Sequence, residues 1–85
     1  MLINEAKDYI AQHNDEALFA DGFEDALMGV GVIFNRSLAA YDMGKCIGIL
    51  MDRDGMSEEE AVEYFEYNVT GSYVGENTPI FVEMF

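Results

Sequence analysis

The side chains of this sequence that could do chemistry are carboxylates, and they are concentrated in one place. Glu58, Glu59, Glu60, Glu63 and Glu66 crowd a single short stretch, and spacings of three and four residues put Glu59, Glu63 and Glu66 on one helix face. No Lys or Arg lies within that stretch, so each like-charge pair opposes the helix by roughly 0.2–0.5 kcal/mol. Such a row is either a solvated face whose early carboxylates favour the helix N-terminus, or a surface that meets a basic partner. Tyr64 and Tyr67 flank the row rather than joining the apolar stripe, and Tyr is enriched at interface cores. Tyr73 is a third tyrosine of the same kind, and Asp52 and Asp54 extend the acidity upstream. The predicted protein-binding set is Asp52, Asp54, Glu59, Glu63, Tyr64, Glu66 and Tyr67.

Metal and catalytic chemistry find less support. Asp52-Arg53-Asp54-Gly55 invites comparison with a calcium loop, which needs an oxygen ligand at position 1, Gly at 6 and a bidentate Glu at 12. With Gly55 at position 6, Leu50 and Ala61 occupy the two ends, and both fail as ligands. A helix stop followed by a restart explains the same residues. His13 is the sole histidine and has no hydroxyl or thiol at a diagnostic spacing, so it reads as a partly buried helix residue. Cys46 falls on an apolar stripe and reads as a small buried hydrophobe. Gly29 and Gly31 lack the third glycine of a phosphate-binding loop, and no C-x-x-C or H-E-x-x-H occurs. The expectation is a protein that is not an enzyme, with no catalytic residue, metal or cofactor.

The whole-chain charge narrows the partners. Seventeen acidic residues face four basic ones in 85, a formal net charge of −13. Nucleic-acid affinity comes largely from Lys and Arg neutralising phosphates, so direct nucleic-acid binding is excluded, as is an anionic membrane surface. The complementary partner is positively charged, either a metal ion or the basic surface of a protein which itself binds nucleic acid. About half the residues are hydrophobic and 13% are aromatic, which places the acidity on a folded domain rather than a disordered tail. The length supports one domain, residues 1–85. A lone cysteine fits a reducing compartment, no apolar run approaches membrane-spanning length, and the first residues lack a signal-peptide pattern. Cytoplasmic location is the expectation.

The elements that position these residues follow from local pattern. Leu2, Ala6, Tyr9, Ile10 and His13 stack on one face of a helix over 3–13. Residues 15–25 carry no decisive signal. The run 26–34, apolar with two glycines, predicts a buried strand; a turn at Asn35-Arg36-Ser37 returns it through Leu38–Tyr41. Asp42 caps a helix to about Arg53 that buries Met43, Cys46, Ile47, Leu50 and Met51, and Gly55 stops it. Ser57 and Glu60 form a capping box for a helix over 58–69, which buries Ala61, Val62, Phe65 and Val69. Residues 70–78 read as loop and 80–84 as a last strand. The predicted class is α+β: a small antiparallel sheet (hairpin 26–41 plus strand 80–84), with a helical hairpin (43–53 and 58–69) and the N-terminal helix packed on it.

Tyr41-Asp42, Lys45-Cys46-Ile47, Ile49-Leu50-Met51 and Arg53-Asp54-Gly55-Met56 open a recognisable string. It continues through Glu59-Glu60-Ala61, Glu63-Tyr64-Phe65-Glu66-Tyr67-Asn68, Gly71 and Gly75-Glu76-Asn77-Thr78-Pro79 to Phe81, with Gly22-Phe23-Glu24-Asp25-Ala26 upstream. This pattern resembles a group of small acidic proteins encoded in phage genomes and prophage-like regions, to which no activity is attached. The resemblance implies a phage or mobile-element origin, hence the cytoplasm of a host cell. With the charge excess, the expectation is a phage-type protein that binds a basic host protein and mimics nucleic acid, as an inhibitor of anti-CRISPR or anti-restriction type would. The competing expectation is a homo-oligomeric accessory or structural module, a homodimer in its simplest form, whose acidity only keeps it soluble.

Overall fold

The apolar run and its return form the hairpin on which everything else packs. In the computed structural model, which describes residues 3–71 and 74–85, β1 (Leu27–Ile33) pairs antiparallel with β2 (Arg36–Asp42). The turn is tighter than the sequence predicts: Phe34-Asn35 form a two-residue loop and Ile33 faces Arg36. Phe34 takes a positive φ of 55°, because a two-residue loop needs left-handed backbone to match the strand twist. A bulge at Met28 shifts the register between Leu27 and Gly29.

The helices follow their caps. α1 (Ile3–His13) precedes the hairpin, α2 (Met43–Asp54) follows β2 directly, and α3 (Glu58–Phe65) follows α2. The Asp42 carboxylate accepts a bond from the Lys45 N–H, and Gly55 closes α2 at φ 67°. The Ser57 hydroxyl accepts from the Glu60 N–H while the Glu60 carboxylate accepts from the Ser57 N–H. The α-helical part of α3 stops at Phe65 rather than 69, and a π-helical turn, Glu66–Thr70, takes its place. Here Asn68 and Thr70 donate side-chain bonds back to the Tyr64 and Glu66 carbonyls, so the backbone is held in a wider turn.

The last strand corrects the expected sheet. β3 (Ile80–Val82) is shorter than predicted and runs parallel to β2, giving a three-stranded mixed sheet in the order β1-β2-β3. Two helices lie between β2 and β3, and a connection of that length can return the chain in the same direction, which a tight hairpin cannot. The α+β class stands, with three helices and a small mixed sheet whose central strand is buried over Leu38–Tyr41.

The core joins Ile10 of α1, Ala39 and Tyr41 of β2, Cys46 and Leu50 of α2, and Ala61 and Phe65 of α3. Its spine is aromatic: Phe23 meets Phe65 edge to face, Phe65 meets Phe81 likewise, and Phe81 stacks on Tyr41 at 5.6 Å. Tyr41 is fully buried and its hydroxyl accepts a 2.9 Å bond from the Ala20 N–H. That bond ties down the segment 15–25, which the sequence left open and which runs into a 3₁₀ turn, Glu24–Ala26. Among the described residues, no helix is long and apolar enough to cross a membrane.

Candidate functional site

The acidic stretch divides into groups with different surroundings. Glu60 is taken up by the capping box; the Ser57 backbone N–H and then its hydroxyl hold the Glu60 carboxyl below its usual range. The remaining carboxylates, Glu58, Glu59 and Glu63 of α3 and Glu66 of the π-helical turn, surround Val62 in one shallow surface depression. Val62 is therefore 38% exposed, a correction to its predicted place in the core; α3 buries Ala61 and Phe65, one turn apart, and turns Val62 outward. The structure thus brings Glu59, Glu63 and Glu66 together as the sequence predicts.

Tyr64 and Tyr67 line an adjoining depression with Met56, Glu60, Glu63 and Asn68. Tyr64 is 43% and Tyr67 81% exposed, so both rings are open to solvent beside the acidic row. Tyr73 lies outside the described residues. Asp52 and Asp54 do not join this face. Asp52 lines a separate depression with Gly22, Glu24 and Asp25, while Asp54 receives two bonds from Arg53, at 3.1 and 3.0 Å. The Arg53 guanidinium accordingly holds the Asp54 carboxyl below its ordinary value.

The basic residues, scattered along the sequence, have tertiary tasks. Arg53 also donates to the Gly22 carbonyl at 2.9 Å and lies over the Phe23 ring, clamping the end of α2 to the preceding segment. Arg36 pairs with Glu76 at 3.0 Å and donates to the Asn77 side-chain oxygen, which also accepts from Asn14. This clasp ties the end of α1, the hairpin and the 74–79 loop together. Lys7 lies over the Phe19 ring. Among the described residues, the only ion pairs are Arg36–Glu76 and Arg53–Asp54, and neither involves an α3 carboxylate. Sequence spacing gave no signal for these clamps, whose partners are as much as 63 residues apart.

His13 is exposed, not partly buried: its ring stacks on Tyr9 at 4.3 Å and its Nδ1 lies 2.8 Å from the Tyr9 carbonyl. Both contacts tie it to the last turn of α1. Cys46 is buried as predicted, and burial, reinforced by Asp42, pushes its thiol up to about 11. A thiol so protected from ionisation is a poor nucleophile.

No protein-family model, no curated protein and no solved structure matches this chain.

Proposed function

We propose that this protein is a non-enzymatic phage-type module that binds a basic host protein through the α3 carboxylates. In this reading it acts in the host cytoplasm and occupies a site that its partner otherwise uses for nucleic acid, as an inhibitor of a host defence does. The observation that carries it is the row Glu58, Glu59, Glu63 and Glu66 around Val62, none of which is ion-paired among the described residues, on a chain whose arginines are engaged elsewhere. Solvated carboxylates spaced along one helix present regularly repeated negative charge, and Tyr64 and Tyr67 beside them offer faces on which an arginine can stack. Asp52 and Asp54, set apart from the row, add to the negative field that draws a basic partner.

The test is affinity capture from bacterial lysate with the wild type and with the triple variant Glu59→Lys, Glu63→Lys, Glu66→Lys. Two charge units per substitution raise the formal net charge from −13 to −7 and leave Ala61 and Phe65 untouched. The captured partner should be lost by the triple variant, should weaken steeply with salt, and should be displaced by nucleic acid. A partner retained by the triple variant, or one that binds nucleic acid and this protein together, overturns the reading. The homo-oligomeric accessory module without mimicry then takes its place.

A further inference from the structure

An apolar groove lies beside the acidic row, where the start of α2, α3 and the chain just past β3 meet. Met43 and Ile47 of α2, Val62 of α3 and Met84 line it with the buried Phe65, in a volume of about 220 Å³. Its charged residues are Asp42, Glu66 and Glu83, and no Lys, Arg or His lines it. Val62 and Glu66 also belong to the depression that holds Glu58, Glu59 and Glu63, so groove and row form one continuous surface. Among the described residues neither Glu66 nor Glu83 is ion-paired, and Asp42 spends one carboxylate oxygen on the Lys45 N–H. Gly44 lines the groove too, exposed and without a left-handed φ. A Cβ added there would meet only Asp42 Oδ1, at 3.4 Å. The fold therefore has room for a side chain at this position, and its absence lets another backbone approach the groove closely.

We infer that this groove takes a short basic segment of the partner protein, with one large apolar side chain seated between Met43, Ile47, Val62 and Met84. Arg or Lys on either side of that anchor meets Glu66, Glu83 and the adjoining carboxylates. The inference rests on the reading of the acidic face as a partner surface and adds what anchors the partner there. Size argues against a free small molecule, whose sites occupy roughly 300–1,000 Å³. Charge argues against nucleic acid, since every ionised group lining the groove is a carboxylate. It argues equally against a second copy, because Lys7, Arg36, Lys45 and Arg53 are too far apart in sequence to form a basic segment. The apolar lining argues against a contact made by charge alone. Long basic side chains lay their stems on apolar surface while their heads reach charge, and Val62 and Met84 are both exposed beside carboxylates. An apolar anchor surrounded by charged groups has the anatomy of a protein interface, a dry centre within a polar rim.

Methyl NMR titration of the full chain with two synthetic peptides tests this. Gly-Arg-Arg-Leu-Arg-Arg-Gly, capped at both ends, carries the anchor, and the same peptide with Ser in place of Leu keeps every positive charge. The leucine peptide should bind about tenfold or more tighter and should shift the methyl signals of Met43, Ile47, Val62 and Met84. Added salt should weaken both peptides and leave their ratio unchanged, because the anchor is uncharged. Gly44→Leu fills the groove without altering a carboxylate, and Val62→Gln replaces an exposed apolar wall with every charge retained. Each should bring the leucine peptide toward the affinity of the serine peptide, with circular dichroism reporting that the fold is kept. Equal affinities in the wild type, groove methyls that do not shift, no binding of either peptide, or a leucine preference untouched by both variants would each overturn the inference. Equal affinities remove the anchor and leave the charge-driven reading of the acidic face standing. A leucine preference, together with a captured partner that ignores the Glu→Lys triple variant, does the reverse.

Discussion

Replacing Phe34 by glycine should raise the melting temperature although it deletes the aromatic ring of the hairpin loop. Phe34 is the first of the two loop residues and holds φ 55°. A bulky L-residue in left-handed backbone costs about 1–2 kcal/mol, which glycine escapes. Glycine gives back roughly 0.5–1 kcal/mol through the greater freedom of its unfolded chain. The ring is 96% exposed, so removing it forfeits almost no burial. The net gain is about 0.5–1 kcal/mol, which for a domain of this size corresponds to a rise of roughly 2–8 °C. Phe34→Ala removes the ring but keeps the Cβ, and should stay within about 0.5 kcal/mol of wild type. Thermal unfolding by circular dichroism at low protein concentration, where self-association does not contribute, measures both variants. If Phe34→Gly melts lower than wild type, or if the alanine and glycine variants shift equally, the loop backbone is not the source of the cost and the ring packs against something.

Four further outcomes rest on the same structure. Ser57→Ala should cost about 1 kcal/mol through the lost cap of α3. Because Glu60 titrates below its ordinary 4.5 when folded, the stability it contributes is present above that value and lost as pH falls through the lower folded one. The capping-box contribution should therefore fade from near pH 4.5 downward, so the wild type should lose stability in acid relative to Glu60→Gln; parallel limbs would remove the capping box from the account. Cys46, with its thiol near 11 and no exposure, should react with a disulfide reagent at pH 8 only as fast as the protein opens, and rapid labelling of the native state would contradict its burial. A methyl group on Gly71 would sit 2.7 Å from the Glu66 carbonyl oxygen and 3.1 Å from that of Tyr67, so Gly71→Ala should cost about 1–3 kcal/mol. Gly29→Ala meets nothing within 4 Å and serves as the control; equal chemical-denaturation midpoints for the two variants would refute the steric reading.

Features whose causes lie within a few residues of each other were legible before any packing was known. Asp42, Gly55 and the Ser57–Glu60 pair delimit α2 and α3 because orphan backbone groups at helix ends must be satisfied locally, and each of these side chains or backbone conformations does so. The burial of Cys46 and the shared face of Glu59, Glu63 and Glu66 follow equally from helical period. Tertiary structure decided the rest. The direction of β3 depends on how two intervening helices pack, not on any residue of Ile80–Val82. Tyr41 became the centre of the core through a bond to Ala20 and a stack on Phe81, contacts whose partners no local spacing links. Asp54 left the acidic face because Arg53 holds it, and Val62 joined that face because Ala61 and Phe65 already fill the core side of α3. Local hydrogen-bond satisfaction can be read from neighbouring residues, whereas exposure depends on which distant surfaces meet.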